Sequence, residues 1–164
     1  MHPAIRTLLL PLFHISARVL NSWTSKMKPH ELALRNFGIR IVAEPKDGTR
    51  DNHEEAYTAL VLLSEHEEKA FELVKKHVRT IYFFEPFTRR NGHLPFGKIC
   101  ILDIRKFANF PAGTIPIGIA GLLVYFATLT ELELSHLATN SERENLASAA
   151  RDEVMEKLEK FYCE

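Results

Sequence analysis

The chain of 164 residues is 46% hydrophobic and 26% charged, which suits one soluble domain with a genuine core. Lys plus Arg and Asp plus Glu each total 21, so there is no net field with which to gather phosphates, and nucleic acid is excluded as a default partner. The two cysteines, Cys100 inside an apolar run and Cys163 beside the C-terminus, have no metal-ligand spacing and read as reduced thiols of a cytoplasmic protein.

The first stretch, MHPAIRTLLLPLFHISARVLNSW, imitates a signal peptide from Leu8 to Ile15. Pro11 and His14 interrupt that run, however, and no small-x-small site follows it. Ile5, Leu8, Leu12, Ile15, Val19 and Trp23 recur three or four residues apart, which predicts an amphipathic helix kinked at Pro11. Its stripe, Leu8, Leu12, Ile15, Val19 and Trp23, is the expected interaction surface, for the domain itself, a second copy or a protein partner. A membrane surface with Trp23 at the interface is the alternative, weakened by the few basic residues on the polar face. Residues 1–28 thus form a helix and linker, and 29–164 a single α+β domain.

Within FGIRIVAE, Ile39, Ile41 and Ala43 alternate with Arg40, Val42 and Glu44, as in a short half-buried strand, and EPKDGTRDN follows as a turn. Helical spacing begins at His53. Ser64 and Glu67 read as a capping box that starts a second helix running to about Arg79, with Ala70, Phe71, Val74 and Val78 on one face. TIYFFE and KICILDI are strands by their aromatic and β-branched content. The intervening PFTRRNGHLPFG has a turn at Asn91-Gly92 and two prolines that limit regular pairing, so the flanking strands are expected to pair antiparallel. A short helical piece spans Arg105 to Asn109.

The most apolar stretch, IGIAGLLVYFATLTELELSH from Ile117 to His136, is predicted to form a buried helix over 116–138 with Pro116 in its first turn. Its apolar run is too short for the roughly 20 residues of a bilayer span, and it is apolar nearly all round, as a core helix is. Asn140, followed by Ser141 and Glu144, ends this helix and caps a closing one that carries Leu146, Ala150, Val154, Leu158 and Phe161. The outline is α+β: a small sheet packed by helices, a buried central helix and a C-terminal helix.

The segment IAGLLVYFATLTEL resembles the active helix of a family of small uncharacterised bacterial zincin-like metallopeptidases, which reads approximately IAS-x-IVHEATHARL. The shared letters are Ile119-Ala120, Val124, Ala127-Thr128 and Leu132. The likeness extends loosely to EEKAFELVKKHVRTIYFF, to the strand KICILD and to ENLASAARDEVMEKLEKF. It implies a zincin-like core. An HExxH helix binds zinc through imidazoles one turn apart and uses the intervening Glu on the metal-bound water. The corresponding positions hold Tyr125, Phe126 and Leu129, so the resemblance implies a frame whose chemistry has been lost, with no catalytic residue and no cofactor.

Other chemistry is sparse. Glu131, Glu133 and His136 follow the apolar run, and Glu133 with His136 has the i, i+3 spacing of a di-metal carboxylate helix, but a second such pair is missing. His66 among Glu65, Glu67 and Glu68 reads as a solvated helix end. Lys75, Lys76, Arg79, Arg89 and Arg90, interleaved with Tyr82, Phe83, Phe84 and Phe87, read as a charged rim on an aromatic core rather than an RNA surface. The sequence therefore predicts a catalytically inactive zincin-like interaction or scaffolding protein. Its alternatives are an enzyme or metal-binding sensor built on Glu133 and His136, and a peripheral membrane protein held by its first helix.

Overall fold

The computed structural model describes residues 31–43, 52–84, 91–95, 98–103, 111–135 and 139–162. The N-terminal stripe, the piece at Arg105 to Asn109, Arg89, Arg90, Phe87, His136 and Cys163 lie outside them. In chain order the elements are α1 (Glu31–Phe37), β1 (Arg40–Ala43), α2 (Asn52–His66), α3 (Glu68–His77), β2 (Thr80–Phe84), β3 (Gly92–Leu94) and β4 (Ile99–Asp103). A 3-10 turn (Ala112–Thr114), α4 (Ile115–Ser135) and α5 (Asn140–Tyr162) follow. The fold is α+β, as expected, with a small mixed sheet and helices packed against it.

The sheet order is β1-β2-β4-β3. β2 is parallel to both β1 and β4, and β3 runs antiparallel along β4 as the edge strand. The antiparallel pairing expected of TIYFFE and KICILDI is therefore wrong. The chain between them crosses the sheet to place the short strand β3 on the far side of β4, so the two long strands return in the same direction. Gly92 is the first residue of β3 rather than part of a turn, and the Asn91 side chain closes the ladder, its Oδ1 accepting the Asp103 N–H at 2.8 Å.

One face of the sheet, Ile41, Ile81, Phe83, Cys100 and Leu102, joins α2, α3 and α4 in the main core. The other face buries Val42, Tyr82 and Ile99 completely or nearly so, with Leu94 and Ile101 against them. β1, the outer strand beside β2, is thus buried on both faces through Ile41 and Val42 rather than half-buried, as strands of parallel sheets covered on both faces are. Gly38 ends α1 in the left-handed region (φ 67°), its N–H donating to the Leu34 carbonyl at 3.0 Å.

Two caps differ from expectation. Ser64 lies in the last turn of α2, where its hydroxyl donates to the Val61 carbonyl at 2.8 Å, and α3 starts beyond Glu67 with no side-chain cap. A Ser inside a helix bonds back to its own turn as readily as it caps the next. The real capping box is Thr139 with Glu142: the Thr139 N–H donates to Glu142 Oε2 at 2.7 Å, and the Glu142 N–H faces Thr139 Oγ1 at 3.4 Å. Asn140 is already the first residue of α5.

α4 spans 21 residues, longer than its apolar run, and passes by length and composition as a membrane-crossing helix; 67% of its most apolar window is buried within the fold. It packs on α2, α3 and above all α5. At the α4–α5 contact a Cβ on Gly121 would stand 2.6 Å from Met155 Cγ and 3.1 Å from Arg151 Cγ, so any larger residue requires these side chains to shift. α5 faces inward with Ala147, Val154 and Leu158, whereas Leu146 (52% exposed) and Phe161 (57% exposed) fall off the stripe assigned to them.

Candidate functional site

The polar side chains that the fold gathers lie where the end of α3, the edge strand β3 and the second half of α4 meet. His93 is central. It is the middle residue of β3, opposite Cys100, and therefore points to the helical face of the sheet. Its Nε2 lies 3.2 Å from the backbone carbonyl of His77, and its Nδ1 lies 2.8 Å from Thr130 Oγ1. Its ring stacks on Phe126 with centroids 5.9 Å apart.

The carbonyl can only accept, so Nε2 carries the hydrogen and Nδ1 is free to accept the Thr130 hydroxyl. Thr130 Oγ1 also lies 2.9 Å from the Phe126 carbonyl, and its single hydrogen serves one of the two acceptors at a time. Burial, with the neighbouring His77 adding to it, pulls the His93 pKa down to about 4, against a smaller upward effect of the His77 carbonyl contact. His93 is neutral near pH 7.

A second group adjoins it. His77, almost fully buried at the end of α3, donates from Nε2 to Glu131 Oε2 at 2.5 Å, and Lys76 Nζ donates to Glu131 Oε1 at 2.9 Å. The hydrogen bonds from Lys76 and then His77 hold the Glu131 carboxyl below its ordinary range. Lys98 Nζ donates to the Lys76 carbonyl at 2.8 Å, a cation on the last turn of α3. Lys98 itself has a left-handed backbone (φ 51°), and its carbonyl accepts the Arg79 N–H at 2.7 Å.

Of the residues singled out from sequence, Phe126 is buried beneath His93, and Tyr125 and Leu129 are half-buried beside it. Tyr125 meets Phe126 edge-on at 5.3 Å. These three side chains do not fit a zinc ion: a phenyl and an isobutyl group have no lone pair to give, and one phenol is no chelate. Glu133 is half-buried further along α4, and its proposed partner His136 lies outside the described residues. Glu131 turns to His77 and Lys76 instead.

Sequence reading missed His77, His93 and Thr130 altogether. They sit on three elements, and only the placement of β3 outside β4 brings them together. The local signal was Thr130, which with Thr128 interrupts the apolar run of α4. Cys100 is fully buried, and loss of hydration raises its thiol pKa far above the ordinary range, so it is unreactive. Comparison of the chain with protein-family models, with curated proteins and with solved structures finds no match.

Proposed function

We propose that this chain is a catalytically inactive domain on a zincin-like frame, acting as an interaction or scaffolding protein. Phe126 carries the reading. It occupies the position at which the resembled helix bears its catalytic Glu, and it is packed under the edge strand against His93. Tyr125 and Leu129 fill the flanking positions, so the turn that would line a cleft is occupied by contacts. Leu32, Leu34, Leu134, Leu146 and Phe161, between 44% and 63% exposed, are large apolar groups available to a partner. In this reading the protein is cytoplasmic and self-associates or binds a protein through its N-terminal stripe.

The test is elemental analysis and peptide hydrolysis by the full chain. No stoichiometric zinc and no turnover are expected. One tightly held metal per chain, lost on Glu133→Gln or His136→Ala, would replace this reading with an enzyme or metal sensor. Reinstalling the motif with Tyr125→His, Phe126→Glu and Leu129→His should destabilise the fold and yield no activity, because it sets ionisable groups among apolar contacts. A triple variant of unchanged stability that binds zinc would show an open cleft and contradict the packing argument.

A further inference from the structure

We propose that His93 is an acid-released latch that fastens the edge strand β3 to the helices and frees it when the ring takes up a proton. Independently of the zincin reading, the inference rests on the connectivity of β3. The strand is three residues long and its ladder is made with β4 alone. On the helical face, His93 ties it to α3 through the His77 carbonyl and to α4 through Thr130 and Phe126. On the opposite face, among the described residues, Leu94 is what β3 adds to the smaller apolar cluster. Among the described residues, losing the His93 contacts leaves a three-residue ladder, the Asn91 side-chain bond and one leucine.

The groups around the ring set the response to a proton. From α3, Lys76 is cationic and His77 presents its carbonyl and its imidazole; from α4, Glu131 is anionic but already held by Lys76 and His77. Lys98 stands just ahead of β4, the Cys100 thiol is the register partner of His93, and Tyr125 flanks Phe126. Glu131 is thus bonded into this network but committed to Lys76 and His77, while the buried Asp103 at the end of β4 has its N–H bonded to Asn91 and lies on the sheet face opposite His93. A charged ring would be desolvated beside His77 and Lys76, whereas a ring swung out from the sheet edge would be hydrated.

With the latched ring titrating at about 4 and a released ring at about 6.5, each pH unit between them favours release tenfold, up to about 300-fold in all. Amide hydrogen exchange of the full chain from pH 7 to 4, corrected for intrinsic rates, reads this directly. Protection of the β3 amides that donate to β4 should fall by about 100-fold between pH 7 and pH 4, while Ile81, Tyr82 and the middle of α4 keep theirs. His93→Gln should remove the pH dependence of the β3 amides. Thr130→Val leaves the histidine but deletes the hydroxyl that bonds Nδ1 of the neutral ring, and should move release to higher pH. Loss of β3 protection only together with the whole sheet, or a pH response that survives in His93→Gln, or a Thr130→Val profile identical to the parent, would overturn the latch.

Discussion

Phe126 illustrates how one aromatic ring can decide between chemistry and packing. It is 8% exposed, stacked on His93 and edge-on to Tyr125, so truncation leaves a hole bounded by two rings and a helix. Phe126→Ala should lower the unfolding free energy by about 3–5 kcal/mol, read from denaturant midpoints at unchanged m. Leu129→Ala, at a half-buried position, should cost less than Phe126→Ala. This part of the site was legible in sequence, because apolar side chains at three motif positions declare themselves. The polar group behind it was not, since His77, His93 and Glu131 are far apart along the chain. For Glu131 the sign of the pH effect is set by its lowered pKa. The carboxylate contributes stability fully above its ordinary 4.5, and that contribution is lost as pH falls through the lower folded value. Denaturation curves of Glu131→Gln and the parent should therefore differ by a constant amount above about pH 5.5 and converge below 4.5; a gap that widens on acidification would refute the assignment.

At the level of elements, run length and composition found α2, α3, β1, β2, β4, α4 and α5, because each has enough apolar residues of one period to show its type. Pairing direction was not legible. β3 is only three residues long and lies between prolines, so the segment joining β2 to β4 read as a hairpin loop although it crosses β4. The cap of α5 was misplaced by one residue for a related reason: Thr139, Asn140 and Ser141 are all good caps, and only the reach of Glu142 back to Thr139 chooses among them. Thr139→Ala should cost about 1 kcal/mol. The α4–α5 seam makes a sharper prediction. Gly121→Ala improves helix propensity by up to about 1 kcal/mol but drives a methyl into Met155, a clash of about 1–3 kcal/mol. The single variant should be destabilised. In a Met155→Ala background the same substitution should become neutral or stabilising, and a cycle showing no coupling between the two positions would remove Gly121 from the seam.

The whole molecule has equal numbers of positive and negative side chains, so it carries no net charge for long-range attraction. Two segments of the chain concentrate its apolar residues. α4 is apolar enough for a bilayer, yet it spends its apolar faces on α2, α3 and α5, and withdrawing it would dismantle the core they share. The N-terminal stripe of Ile5, Leu8, Leu12, Ile15, Val19 and Trp23 is the other, and its residues are worth roughly 1.5–3 kcal/mol each when fully buried, before ordering costs. A stripe of that size is costly to leave in water, and the segment has few basic residues with which to be drawn to anionic lipid. We propose that it is buried against the domain or a second chain rather than in a membrane. Deleting residues 1–28 should lower the melting temperature or convert a dimer to a monomer, while the full chain stays in the supernatant when centrifuged with anionic vesicles. If the deletion changes neither melting nor assembly and instead abolishes co-sedimentation with vesicles, the stripe is a lipid-binding surface and the protein acts at the membrane.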